Sequence, residues 1–234
     1  SVLYGGGTGN IESVGAVLSD SAAPFITKST FKYSASWAVS LDPTVTFKFT
    51  DNTVDSNTAS GAVRINGTII GATSTISIIS DNLITNNSKS LCTDGMERPT
   101  VNCSVNVGLI APGMTTYITN NTITGNYGYD SGGILASQQG SGSNMVISQN
   151  EITDNFGRGI SISNSYVTDS AVTITDNLIK GNSKEGIDTW ANQGGNITIS
   201  SNQIISNQRG GIKAHSGIFS SSASYINVLN NIIH

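Results

Sequence analysis

The sequence predicts an all-β fold in which short parallel strands wind into a solenoid, and three observations support this prediction. A pair of asparagines separated by four residues, Asn-x-x-x-x-Asn, recurs six times along the chain. Apolar and polar residues alternate with period two beside these pairs, as in Val172-Thr-Ile174, and this alternation is typical of strands. Charged residues make up only 11% of the chain, whereas Ile, Val and Thr, which favour strands, are plentiful.

The asparagine pairs define a module whose spacing indicates the architecture. The first asparagine recurs at intervals of 25 to 39 residues, and the second follows five residues later, so insertions are confined to the segment after a Gly-Ile strand. Parallel crossovers are nearly always right-handed. We therefore predict a right-handed single-stranded parallel β-helix of about eight coils with three short strands per coil. The first positions are Asn52, Asn82, Asn121, Asn150, Asn177, Asn202 and Asn231, and the second positions are Asn57, Asn87, Asn126, Asn155, Asn182 and Asn207.

Two parts of the chain interrupt this periodicity. Residues 1–24 are glycine-rich and form an N-terminal segment, which we interpret as a cap or a contact arm. Residues 25–234 form the predicted β-helix, with a polar insertion at 88–106. Phe25 to Leu41 fits a degenerate first coil, with Ser29 in the first asparagine position.

The asparagines themselves have a structural explanation. Equivalent residues on successive coils lie about 4.8 Å apart, so each side-chain amide can donate to the next and form a ladder. Asparagine also tolerates the left-handed backbone conformation that tight turns require. We therefore assign these positions to the fold and not to a ligand.

The repeat I-x-x-N-x-I-x-x-N-x-x-x-G-I, as in Ile147 to Ile160, resembles that of the right-handed β-helix superfamily. This superfamily includes pectate lyases, related polysaccharide lyases and epimerases, phage tailspikes and surface proteins of bacteria and archaea. The resemblance covers roughly residues 25–234. It implies the fold but no particular function, because function depends on a site.

One candidate site emerges when the Gly-Ile strands are aligned. Asp188 and Lys213 become neighbours on adjacent coils, and so do Trp190 and His215. In a carbohydrate site, Trp190 would stack on a sugar while Lys213 or His215 abstracts the proton α to a uronate carboxylate. The competing interpretation is a cross-coil ion pair, worth less than about 1 kcal/mol, beside an exposed aromatic pair.

Several other functions are disfavoured. The segments typical of polygalacturonases and alginate epimerases are missing, and no pair of carboxylates stands out for glycoside hydrolysis. The acidic residues are scattered, so we expect no cofactor and have no support for Ca²⁺; with only two histidines, we expect no metal site. The 11 Lys and Arg residues are scattered, which argues against nucleic acid, and no stretch is long enough to span a membrane.

The two cysteines favour an extracellular location. Cys92 and Cys103 lie in the same insertion, where we favour a disulfide over two free thiols; a disulfide would indicate an oxidising compartment. Five Asn-x-Ser/Thr sequons make candidate glycan acceptors of Asn66, Asn86, Asn102, Asn120 and Asn196.

The sequence therefore favours an extracellular structural or cell-surface protein without a catalytic role, which assembles end to end with other copies into a filament or surface layer. A β-helix with uncovered ends exposes core residues and strand edges, which motivates this expectation. One alternative is a polysaccharide lyase or epimerase acting near Asp188, Lys213 and His215. Another is a carbohydrate-binding adhesin or spike, with Trp190 and His215 as binding residues.

Overall fold

A computed structural model describes most of the chain. The described residues are 2–4, 17–20, 25–34, 37–42, 46–57, 61–68, 76–87, 105–110, 113–139, 141–164, 169–191, 195–216 and 224–234. Within these ranges, every regular element is a β-strand, and no helix has the length and hydropathy needed to cross a membrane. The predicted cysteine pair, Cys92 and Cys103, lies outside the described residues.

Twenty-five strands in the described ranges form three parallel sheets, and the chain visits the sheets in strict rotation. The first sheet contains β1 (Val2–Tyr4), β4 (Thr30–Lys32), β7 (Thr53–Asp55), β10 (Leu83–Thr85), β13 (Thr122–Thr124), β16 (Glu151–Thr153), β19 (Leu178–Lys180), β22 (Gln203–Ile205) and β25 (Ile232–Ile233). The second contains β2 (Val17–Asp20), β5 (Val39–Asp42), β8 (Val63–Thr68), β11 (Val105–Ile110), β14 (Tyr127–Gln139), β17 (Phe156–Asn164), β20 (Ile187–Ala191) and β23 (Ile212–Ser216). The third contains β3 (Phe25–Thr27), β6 (Lys48–Thr50), β9 (Ile76–Ser80), β12 (Thr115–Thr119), β15 (Asn144–Ser148), β18 (Ala171–Thr175), β21 (Asn196–Ser200) and β24 (Tyr225–Leu229).

The period-two pattern fills the interior of the solenoid. In β18, Val172 and Ile174 are buried, while the residues between and beside them face outward. Because strands of each sheet stack in register, inward residues form columns of identical or similar side chains, such as Ile152, Ile179 and Ile204. The predicted all-β parallel solenoid is therefore confirmed.

Two columns of buried asparagine amides line the turns on either side of the first sheet. Each ladder asparagine except Asn207 and Asn231, the last of each column, donates from Nδ2 to the Oδ1 of its equivalent on the next coil, at 2.8–3.1 Å. The same Oδ1 accepts the backbone N–H of the preceding asparagine at 2.9–3.2 Å. Nδ2 also reaches a backbone carbonyl of the previous coil, as from Asn82 to Phe49 at 2.9 Å. The predicted ladders are confirmed at every predicted position.

The left-handed residue of each turn is not the ladder asparagine, which corrects part of the sequence interpretation. The residue just before it takes positive φ, with values of 54–58° at Asp51, Asp81, Asn120, Gln149, Asp176, Ser201 and Asn230. At the second turn the corresponding residues are Ser56, Asn86, Gly125, Asp154, Gly181 and Ser206. The ladder amide must point inward toward its stacked neighbours, so the preceding residue makes the bend and points outward.

The solenoid also includes strands that the repeat pattern did not reveal. The predicted N-terminal segment, residues 1–24, contributes two of them: β1 pairs with β4, and β2 pairs with β5, both in parallel. Val105 and Asn106, placed at the end of the insertion, begin β11, which pairs with β8 and β14. In the first coil, the backbone N–H of Ser29 donates to Asn52 Oδ1 at 3.0 Å, as its predicted position requires.

Candidate functional site on the second sheet

The outer face of the second sheet carries the four residues selected from the sequence. Strands β20 and β23 pair in parallel, with Asp188 opposite Lys213 and Trp190 opposite His215. On the preceding coil, the equivalent residues of β17 are Ser161 and Ser163. The alignment of the Gly-Ile strands therefore gave the correct register for this face.

Arg158 is the centre of the site, although the sequence analysis did not select it. Its Nε lies 2.8 Å from Asp188 Oδ2 and 3.2 Å from Glu185 Oε2. Both carboxylates come from the next coil and are nearly buried, with the Asp188 side chain only 3% exposed. One guanidinium thus neutralises two carboxylates across the gap between coils, as its planar array of donors permits.

Glycines shape the backbone that places these charges. Gly186 separates Glu185 from the inward Ile187, and a Cβ on it would lie 2.5 Å from Ile204 Cγ2 and 2.8 Å from the Gly211 carbonyl oxygen. Only glycine therefore allows consecutive coils to approach this closely here. Glu185, the charged residue before Gly186, is consequently held at a fixed position beside the sheet.

Glu185 is held in its ionised form. Burial raises the pKa of its carboxyl, but a hydrogen bond from its own backbone and the positive charges of Arg158, Lys213 and Arg209 outweigh this effect. The net result is a pKa below the ordinary value. Three basic side chains therefore lie near the Glu185 carboxylate, in a chain whose formal net charge is −4.

Asp188 and His215 face each other without a hydrogen bond. Asp188 Oδ1 lies 3.7 Å from His215 Nε2, beyond hydrogen-bonding distance, and both atoms are buried. Neither atom has a hydrogen-bond partner among the described residues. The imidazole and the carboxylate therefore lie close together across adjacent coils without a hydrogen bond joining them.

Trp190 and His215 form a stacked pair of rings. Their centroids are 4.0 Å apart and their planes differ by 11°, while Trp190 remains 46% exposed. One indole face is covered by the imidazole of the next coil. The other face is directed toward the coil of Ser163, where the register places only a small residue.

Lys213 does not form the ion pair that the alternative interpretation required. Its side chain is exposed, and in the described part of the chain no ion pair joins it to Asp188, whose partner is Arg158. Lys213 instead contributes positive charge to Glu185. Arg158 and Glu185 could have been found by extending the alignment, since each immediately precedes the glycine of a Gly-Ile pair.

A second aromatic pair lies where the chain enters the second sheet. Tyr127 and Phe156 are stacked with centroids 4.3 Å apart and an interplanar angle of 6°, and Phe156 is 45% exposed. The register places Ser183 and Gln208 beside them on later coils, and Arg158 follows Phe156 by two residues in β17. Within the described residues, no group of three or more His, Cys, Asp and Glu side chains is arranged to ligate a metal ion.

The sequons occupy different environments. Asn120 and Asn196 are exposed, whereas Asn86 is half-buried and hydrogen-bonded to Thr85. Asn66 belongs to β8, and Asn102 lies outside the described residues.

The molecule is thus a parallel solenoid of three sheets, with two internal amide ladders and a charged aromatic patch on one lateral face. A family model described as "Right handed beta helix region" matches residues 14–233. The chain therefore belongs to the right-handed β-helix family. Comparison with curated proteins and with solved structures found no match.

Proposed function

We propose that this chain is an extracellular surface protein whose β-helix serves as a rigid scaffold and binds an acidic polysaccharide without cleaving it. The Trp190–His215 stack beside exposed basic residues is the observation that carries the proposal. An aromatic face packs against the C–H surface of a sugar ring, and neighbouring cations attract its acidic groups. The small residues of the preceding coil leave room for that ring.

The state of the carboxylates supports binding over catalysis. A general acid or base works best when its pKa lies near the operating pH. The pKa of Glu185 is lowered, away from neutrality, and Asp188 is paired with Arg158 at 2.8 Å. Lys213 and His215 are the remaining candidate bases, and they define the lyase or epimerase alternative.

Calorimetric titration with uronate oligosaccharides, with a neutral glucan as the reference ligand, tests the proposal. We expect Trp190→Ala and Lys213→Ala each to weaken uronate binding by about tenfold, equivalent to about 1.4 kcal/mol. Tyr225→Ala is the matched control, since it removes an exposed ring from β24 of the third sheet, on a different face from Trp190 and Lys213, and its affinity should be unchanged. Equal affinity of all three variants and the parent protein would contradict the proposal.

A direct assay separates binding from cleavage. Incubation with uronate polymers should yield neither unsaturated ends nor epimerised residues. If either product appears and is lost in both Lys213→Ala and His215→Ala, the enzyme alternative replaces the binding proposal.

Self-association is a second candidate, favoured by the apolar surface of the last strands. Tyr225, Val228, Leu229, Ile232 and Ile233 are each between 46% and 60% exposed. End-to-end stacking of copies would bury this surface and continue the sheets. Analytical ultracentrifugation and electron microscopy should show concentration-dependent rods that Val228→Lys disrupts; discrete monomers at micromolar concentration would rule this out.

A further inference from the structure

Three sequons have described acceptor side chains, and the structure separates them into two kinds. Asn120, followed by Asn121 and Thr122, lies at the turn that leaves the third sheet. Asn196, followed by Ile197 and Thr198, begins strand β21 at the opposite border of the same sheet. Asn86 lies at a turn between the first and second sheets.

The amides of Asn120 and Asn196 are free to react. Asn120 has φ of 55°, and its backbone N–H donates to the Ser148 carbonyl at 3.2 Å, so the main chain is fixed while the side chain is exposed. The Asn196 backbone N–H likewise donates to Ser170 at 2.9 Å, and its side chain is exposed. Within the described residues, neither side-chain amide makes a hydrogen bond.

Asn86 is occupied by its neighbours. Its Nδ2 donates to Thr85 Oγ1 at 3.0 Å, and its side chain also hydrogen-bonds Asp55 on the preceding coil. Its Oδ1 would lie 3.1 Å from a Cβ built on Gly125 of the following coil. A substituent on this amide would break these hydrogen bonds.

We propose that Asn120 and Asn196 carry N-linked glycans in the folded protein and that Asn86 does not. The Nδ2 nitrogen attacks C1 of the first sugar of a lipid-linked oligosaccharide diphosphate. The N–C1 bond forms, the C1–O bond to the diphosphate breaks, and the proton lost by the nitrogen leaves with the lipid diphosphate. This inference rests on the extracellular location in the proposed function.

The two acceptors flank one face and leave another clear. Asn120 follows β12 and Asn196 begins β21, three coils later, which corresponds to about 14 Å along the solenoid. Glycans at these positions would cover the third sheet, while the Trp190 face of the second sheet stays accessible. On the coil after Asn196, the exposed Tyr225 ring is opposite it in register and can pack against the first sugar.

Translation with a signal peptide into glycosylating microsomes tests the inference independently of natural export. Protease-resistant, and therefore folded, chains are isolated, and peptide N-glycosidase in ¹⁸O-labelled water marks each glycosylated asparagine for mass spectrometry. We expect marks at positions 120 and 196 and none at 86. Asn120→Gln and Asn196→Gln should each remove one glycan, whereas Asn86→Gln should remove none.

Two outcomes would overturn the inference: folded chains without a glycan at either position, or folded chains mostly modified at Asn86. Saccharide binding is measured separately on unglycosylated protein made in bacteria. If the unglycosylated protein binds no saccharide while glycans are found at positions 120 and 196, the proposed ligand is wrong. The glycosylation inference still holds in that case.

Discussion

Arg158 reaches from one coil to Asp188 on the next, with Nε and Oδ2 2.8 Å apart, and it contacts Glu185 from the same position. The aromatic pair of the site depends on this contact. Arg158 fixes Asp188, whose other oxygen faces His215, and His215 in turn covers one face of Trp190. The exposed ring is therefore supported by a chain of contacts that begins on the preceding coil.

Removal of Arg158 should destabilise the protein strongly. Arg158→Met leaves two nearly buried carboxylates without their cation, and loss of one partner of a buried ion pair typically costs about 3–5 kcal/mol. Denaturant unfolding measures this loss. The double variant Arg158→Met with Asp188→Asn should recover part of it, because one uncompensated charge is gone. If the single variant were as stable as the parent protein, the cluster would have no structural role.

The amide ladder should be most sensitive at its middle. Asn150→Ala removes the acceptor of the Asn121 amides and the donor to the Ile118 carbonyl. Each buried polar group left unsatisfied costs about 1–3 kcal/mol, so we expect a loss of at least about 3 kcal/mol. Asn231→Ala is the control at a partly exposed position and should cost about 1 kcal/mol, because water can replace its bonds. Equal losses at both positions would argue against burial as the cause.

Acid should weaken the charged cluster through Glu185. Because its folded-state pKa lies below the ordinary value of 4.5, its contribution to stability is present above that pH. The contribution is lost as the pH falls through the lower folded-state pKa. Thermal unfolding between about pH 3 and 6 should therefore fall less steeply in Glu185→Gln than in the parent. Glu151→Gln, at an exposed position on β16, serves as the control; an identical pH profile for parent and Glu185→Gln would contradict the assignment.

The fold was predictable from sequence because the ladder asparagines repeat at positions where no other residue satisfies the same bonds. The fixed five-residue spacing set the register, and the register placed Asp188 beside Lys213 and Trp190 beside His215. Strand β11 was missed because the long insertion separates it from Asn82 and Asn87, and because no Gly-Ile pair marks its beginning.

The ion partners were less predictable than the register. Adjacent backbone positions suggested that Lys213 pairs with Asp188, yet Arg158 has the longer reach and forms the contact. Side-chain length and direction, and not strand pairing, decide which charges meet across coils. The left-handed turn residue was misassigned for a related reason: the burial of the ladder amide dictates that its predecessor makes the bend.

The amide-to-amide hydrogen bonds of both asparagine columns run in one direction, since each side-chain nitrogen donates to the side-chain oxygen of the following coil. The amide dipoles consequently add, as peptide dipoles do along an α-helix. The solenoid therefore has a defined polarity. The side-chain N–H donors of the ladders point toward its C-terminal face, and the side-chain oxygen acceptors point toward the opposite face. A further coil that continues a column at the C-terminal face must place an acceptor oxygen beside the side-chain nitrogen of Asn231 or Asn207. Such a coil can therefore be added in one orientation and not in the reverse one.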